Sequence, residues 1–471
     1  MRLLPTLPSP TRLCTVIGLS LLAACARQPA PDLTFAGSLP NPLTDTSASI
    51  SQQPVPERWW QLLRAPQLDR WVEQALANNQ DLAQAKANLQ AMLAGMGELQ
   101  AQRLPATSLN IAATYGKSTD DQTLAEATHT HAAAQWQFSP GVELAYQVDA
   151  WGQVQAAIER ASAHAQASAA AHDLLRLQVV AQTTRAYVQQ CVYQARIAAA
   201  HQALSTLDNS VWLSDRQRQA GAATALDSER LLSLRDQVRA RLPVLEAGRD
   251  IAQFELSMLG GQATVQAQPP CIAIPRLTGP LPAGDGWHLL ARRPDVRQAE
   301  RELQAASLQT QIAKADLYPK VSFGAQLSAS DHRLGNVGGS RAITFGIGPL
   351  IHWEFPNLKA NRARLSKAQA LQQAQVAHHQ SVALGALKDV RQALARHDAT
   401  QQRLQALASA LAHSQRGYDL ARSNHRAGTV DGLALLDSER ELIRLQDRHI
   451  AAQGSVASAQ IELFRALGGG W

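Results

Sequence analysis

Residues 134–149 read AQWQFSPGVELAYQVD, and their alternation decides the fold. Trp136, Phe138, Val142, Leu144, Tyr146 and Val148 fall on one side of an extended chain, against Gln135, Gln137, Glu143 and Gln147 on the other. Successive side chains of a strand point to opposite faces, so this segment presents one apolar and one polar surface. Three further stretches do the same. Residues 107–115 set Leu109, Ile111, Ala113 and Tyr115 against Asn110 and Thr114. Residues 321–329 alternate Val321, Phe323, Ala325, Leu327 and Ala329 with Ser322, Gly324, Gln326 and Ser328, and residues 343–353 contribute Ile343, Phe345, Ile347, Ile351 and Trp353. Taken singly, each strand also fits one face of a soluble sandwich. All four have the length of a tilted membrane strand, roughly 9–11 residues. Trp136, Trp151 and Trp353 stand at or beside strand ends, where an aromatic girdle meets a membrane interface.

Between the strands the pattern is helical. Residues 153–214 contain no Pro or Gly and carry Leu174, Leu177, Val180, Thr184, Tyr187 and Cys191 at three- and four-residue steps. Such a run makes a rod of roughly 90 Å. Its counterparts are expected at 223–260, where Pro243 should kink or interrupt the helix, and at 358–415 and 431–467. Small seam residues suit close coiled-coil packing, and polar outer faces mean that the rods meet water rather than lipid.

The chain repeats itself. Ala220-Gly221 followed by Leu226-Asp227-Ser228-Glu229-Arg230 recurs as Ala427-Gly428 followed by Leu436-Asp437-Ser438-Glu439-Arg440. The displacement grows from 428 − 221 = 207 to 436 − 226 = 210, which predicts three extra residues in the second turn. It returns to 467 − 259 = 208 where Leu259-Gly260-Gly261 matches Leu467-Gly468-Gly469. The expected layout is a signal segment (1–24), a Pro- and Ser-rich tether (25–56), a first repeat (57–261), an irregular equatorial linker (262–291) and a second repeat (292–471). Each repeat reads helix, two strands (107–116 and 134–149; 320–330 and 342–354), long helix, turn, long helix. Four strands cannot close a membrane barrel, so copies must combine. Two copies would give eight strands with a filled interior, whereas three give twelve around a lumen.

Composition narrows the function. The 471 residues have a net charge of +6 and a mean hydropathy of −0.20, and the 44 basic residues are interleaved with 38 acidic ones, which argues against nucleic acid as a partner. Beyond the signal segment no apolar run reaches the length of a membrane helix, so any crossing must use strands. No P-loop or nucleophile elbow occurs, and no catalytic residue, metal site or cofactor is expected. His129-Thr130-His131 falls in a loop between strands, and His378-His379 are adjacent on a helix; neither pair is a site. Cys191 and Cys271 are compatible with a disulfide, but the sequence does not establish the pairing. Arg2 and Arg12 flank a short N-terminal region, and the apolar stretch Val16 to Ala24 that follows closes with Leu22-Ala23-Ala24-Cys25, which resembles the bacterial lipobox. That resemblance implies an N-acyl, S-diacylglycerol Cys25 as the new N terminus; a plain signal peptide with an incidental cysteine is the alternative. Ala26, in place of aspartate, by the same resemblance implies sorting to the Gram-negative outer membrane.

Trp59-Trp60, Leu68-Asp69, the run Ala75-Leu76-Ala77-Asn78-Asn79-Gln80-Asp81-Leu82, the run Arg292-Arg293-Pro294-Asp295 and the run Ala313-Lys314-Ala315-Asp316-Leu317-Tyr318-Pro319 resemble the TolC-like outer membrane factors, NodT-type lipoprotein branch. The resemblance implies a homotrimer: a 12-stranded β-barrel, four strands per chain, in outer membrane lipid, continuous with a periplasmic α-helical coiled-coil barrel. It implies a passive exit duct docked to a periplasmic adaptor and an inner-membrane pump, exporting small molecules such as drugs. It further implies adaptor docking at the tips of Gly221 and Gly428, and a periplasmic gate at Asp227, Asp437 and Leu433. Ala434 departs from the pattern, because an acidic residue is common there in relatives. Three other readings stand beside it: a secretion duct for polypeptides, a coiled-coil lipoprotein without a pore, and a lipid-anchored periplasmic enzyme.

Overall fold

In a computed structural model the described residues are 50–469, apart from 222, 265–270, 272, 278 and 285–288. Cys25, the signal segment and Trp287 lie outside them. In chain order the strands are β1 (Ile50–Ser51), β2 (Ala106–Gly116), β3 (Gln135–Val148), β4 (Leu281–Pro282), β5 (Lys320–Ala329) and β6 (Ile343–His352). The helices are α1 (Pro66–Asn78), α2 (Gln80–Ala101), α3 (Thr119–Ala127), α4 (Gln153–Gln219), α5 (Ala225–Arg239), α6 (Leu242–Leu259), α7 (Leu289–Arg292), α8 (Pro294–Ala315), α9 (Lys359–Arg426) and α10 (Gly432–Ala466). Contacts divide the chain into two compact units that cut across the sequence halves: one holds Gln90–Gln166 and Glu300–Ala377, the other the described residues of Thr34–Leu89, Ala167–Ala299 and His378–Trp471.

The first unit is built on an antiparallel sheet of order β2-β3-β5-β6. Its register puts Leu109 opposite Val142, Val142 opposite Leu327 and Leu327 opposite Phe345, so the apolar alternations of all four strands coincide on one face. The other face aligns Ser108 with Glu143, Glu143 with Gln326 and Gln326 with Gly346. The sequence halves are joined at β3–β5, a pairing that no periodicity in either half specifies. The segment between β2 and β3, expected as an external loop, contains α3, held by a capping box between Ser118 and Asp121; His129 and His131 follow it, exposed.

In the second unit, Trp59 is fully buried and stacks on Phe464 with centroids 4.9 Å apart, amid Leu68, Val72, Leu256 and Ile461. Ile50 and Ser51 pair with Leu281 and Pro282, and Val55 is buried in the same core. The expected tether is corrected here: from Ile50 onward it belongs to the folded body, because a parallel pairing and apolar burial hold it. Cys191 and Cys271 form a disulfide across 80 residues, tying the linker to α4. A cross-link over such a loop stabilises by about 4 kcal/mol in the chain-entropy account.

Helix α4 lies between α6 and α10 at two close approaches. A Cβ on Gly248 would meet the Tyr193 ring at 2.5 Å, and one on Gly454 would meet Val192 Cγ2 at 2.5 Å. Around Pro243 the expected long helix is broken into α5 and α6, since proline donates no hydrogen bond to the preceding turn. The second hairpin has no such break, and α10 runs for 35 residues. Buried Arg293, from the Arg-Arg-Pro-Asp run, donates from Nε and Nη2 to the Asp295 carboxylate (3.0 and 2.7 Å) and from Nη1 to the Ala466 carbonyl (2.8 Å). It thereby satisfies a carbonyl at the end of α10 that the helix itself leaves open.

Candidate functional site

Two regions carry the features expected of a conduit. The first is the sheet. Its apolar face is open to the surroundings, with Ile111 75%, Ile347 78% and Phe345 81% exposed, and among the described residues β2 and β6 each keep one edge without a partner strand. Aromatic side chains gather at both ends of it. Near one end Tyr115 packs against Trp136 (5.5 Å). Near the other, Trp151 stacks on Tyr318 (4.8 Å) and donates from Nε1 to the Pro319 carbonyl (2.8 Å), while Trp353 stacks on Phe355 (4.7 Å) and donates to the Leu317 carbonyl (3.3 Å). An apolar body with a polar handle is what an interfacial position requires.

The second region is the pair of hairpin tips. Residues 220–224 connect α4 to α5 and residues 427–431 connect α9 to α10. Both turns reverse at a glycine in the left-handed region, Gly221 at φ +74° and Gly428 at φ +75°. Other residues pay about 1–2 kcal/mol there, because their Cβ crowds the backbone. The turns are equally long, so the expected three extra turn residues are a correction: they form the first turn of α10. The reason is the cap. In the first hairpin Thr224 accepts from the Asp227 amide (3.3 Å), while the Asp227 carboxylate accepts from the Thr224 amide (3.1 Å) and hydroxyl (2.6 Å). In the second, Asp431 caps instead, accepting from the Ala434 amide at 2.9 Å, six residues before Asp437.

Asp227 and Asp437 therefore hold different positions. The hydrogen bonds from Thr224 keep the Asp227 carboxyl below its usual range. Asp437 is exposed and lines a cleft of about 460 Å³ between α5 and α10 with Leu433, Glu229, Arg230, Leu436 and Arg440. Two guanidinium groups thus share the cleft with the two carboxylates. Three residues that matter at the tips escaped the sequence reading: Thr224, Asp431 and Glu439. The first was visible as Thr-x-x-Asp before an apolar run, the signature of a capping box. Glu439 is buried, and no local pattern marks it. Among the described residues no helix is long and apolar enough to cross a membrane, and no group of His, Cys, Asp or Glu side chains could hold a metal ion.

These features define a class. Residues 71–262 and 288–469 match the model of the outer membrane efflux protein family, and the chain belongs to that family. It is an efflux protein of the outer membrane. It is similar to the pyoverdine export outer membrane protein OpmQ of Pseudomonas aeruginosa, with 30% identity covering 96% of this chain and 95% of that one. Outer membrane protein OprJ of the same species is 30% identical over 88% and 86% of the two chains. Among solved structures, the outer-membrane channel OprN superposes with a TM-score of 0.84 at 29% identity, covering 94% of this chain and 98% of that one.

Proposed function

We propose that three copies of this chain close a 12-stranded barrel and act as the passive exit duct of a tripartite efflux system for small molecules. One observation carries this reading: the sheet of four strands turns an unbroken apolar face outward while both its edges stay unpaired. An open edge cannot sit in hydrocarbon, so β6 of one copy must pair with β2 of the next. Three copies leave a water-filled lumen lined by the polar face, whereas two would fill it with side chains. The helices support the same assembly. Val244, Ile251, Phe254 and Met258 form an exposed stripe on α6, each at least 60% accessible. Displaced by 208, their counterparts on α10 are Ala452, Ala459, Glu462 and Ala466; the three alanines are buried, and Glu462 pairs with Arg185 of α4. A neighbouring copy's α9, the repeat counterpart of α4, would cover the α6 stripe.

In this reading Trp136, Trp151 and Trp353 form the two girdles, and Cys25 carries the lipid. The tips at Gly221 and Gly428 face a periplasmic adaptor, which joins the duct to an inner-membrane pump. Leu433 and Asp437 narrow the periplasmic mouth, and Asp227 holds the adjoining helix end. The duct performs no chemistry; the pump drives the flux. The test is the mass and conductance of the full chain purified in detergent. Three chains per particle and ion conductance in a planar bilayer are expected. A monomer without conductance overturns the proposal and favours a pore-free lipoprotein. Cys25→Ala should abolish acylation and leave the trimer intact, because strand pairing closes the barrel.

A further inference from the structure

One carboxylate at the tips has no role in the reading above. Glu439, on α10, is 3% exposed, and its Oε1 has no hydrogen-bond partner among the described residues. It lines a cavity of about 160 Å³ whose wall is drawn from α4, α5, α9 and α10. The polar groups around it are few. Helix α4 contributes Ser210, Ser214 and Gln217, which carry no charge; α5 contributes Asp227; α9 contributes His425, with Tyr418 within electrostatic reach. Among the described residues no lysine or arginine lines the cavity. Its remaining wall is largely apolar, from Leu213, Leu231, Leu435 and Leu436.

Deepening the duct reading, we propose that Glu439 is a proton-sensitive latch: neutral, it lets the two hairpins pack, and ionised, it draws water into the cavity and loosens the tips. The physical ground is the cost of an unpaired charge beside leucines and a second carboxylate. Burial pushes the Glu439 carboxyl above its ordinary 4.5. The Tyr418 phenol is likewise pushed up, first by its own burial and next by Glu439. The sign follows from linkage. A carboxyl whose folded value is raised adds stability that is complete below its unfolded value and is lost as pH rises through the folded one. Protonating Glu439 therefore tightens the tips and ionising it frees them. The first hairpin supplies an internal control, since Glu229, at the same place in the repeated motif, is exposed.

The experiment is hydrogen exchange on residues 425–440 in the full-length trimer, wild type against Glu439→Gln at each pH, which cancels the intrinsic pH dependence of exchange. Protection of wild type relative to E439Q should fall severalfold as the pH rises from mildly acidic to mildly alkaline. Glu229→Gln should follow wild type, and His425→Gln should keep the pH response, which assigns it to Glu439. A constant ratio of wild type to E439Q overturns the latch, as does a response that vanishes with H425Q. Particle mass and conductance, measured in parallel, report on the duct itself, so either reading can fail without the other.

Discussion

The two hairpin tips carry the same Leu-Asp-Ser-Glu-Arg motif after turns of equal length, and they bury different members of it. In the first, Ser228, Leu234 and Val238 face inward; in the second, Glu439, Leu442 and Leu445 do. The buried sets are displaced by 439 − 228 = 211 and 445 − 234 = 211, one more than the motif's 210. Three extra helical residues advance the helix by about 4.5 Å and turn it by about 300°, so a copied motif presents a new face to its neighbours. A serine hydroxyl, 3.1 Å from that of Ser214, occupies the inward place in one hairpin, and a carboxylate whose Oε1 has no hydrogen-bond partner among the described residues occupies it in the other. Sequence copies need not be functional copies when a cap decides where the helix starts.

Deep in the core the hairpins should behave most alike, and substitutions there test the comparison hardest. Leu256 and Phe464 match at the displacement of 208, and both are fully buried. Leu256→Ala should cost about 2–5 kcal/mol and Phe464→Ala about 3–5 kcal/mol in denaturant melts of the detergent-solubilised protein. The Phe464 loss should be the greater because it also removes the stack on Trp59. Equal losses would leave the stack no energetic role.

A smaller effect is expected where α4 meets each hairpin. Gly248→Ala and Gly454→Ala should each destabilise by about 1–3 kcal/mol through overpacking. Gly454 should be the worse site: its obstacle, Val192, is β-branched and fixed at χ1, whereas Tyr193 can swing its ring aside. A harmless Gly454→Ala would show that α10 and α4 are not in close register.

The smallest effects belong to the caps, where the hairpins differ most. Thr224→Ala and Asp431→Ala should each cost about 1 kcal/mol of local stability, read from amide protection at the start of α5 and α10. Only the first cap engages Asp227, whose carboxyl lies below its ordinary 3.8. Its contribution is present above that value and lost as pH falls through the depressed one, so acid should fray α5. Asp227→Asn should remove this acid response, while Asp437→Asn should leave protection of both helices unchanged.

What the sequence determined by itself is what depends on near neighbours along the chain. Alternation at Trp136, Phe138, Val142 and Leu144 fixes which face of a strand is apolar, wherever that strand pairs. An uninterrupted Ala-rich run after Gln153 specifies a long rod, and glycines at 221 and 428 specify reversal, because only glycine enters the left-handed region without strain. Trp59-Trp60 and the Arg-Arg-Pro-Asp run were legible only as a likeness to relatives; their physical roles, a stack on Phe464 and a satisfied helix end, are contacts to residues far along the chain. Tertiary structure alone decided that β3 pairs with β5, that Cys191 meets Cys271, that the chain joins the core from Ile50, and that Glu439 turns inward. Each of these is set by which distant surface offers the better burial or hydrogen bond, a competition that no single stretch of sequence records.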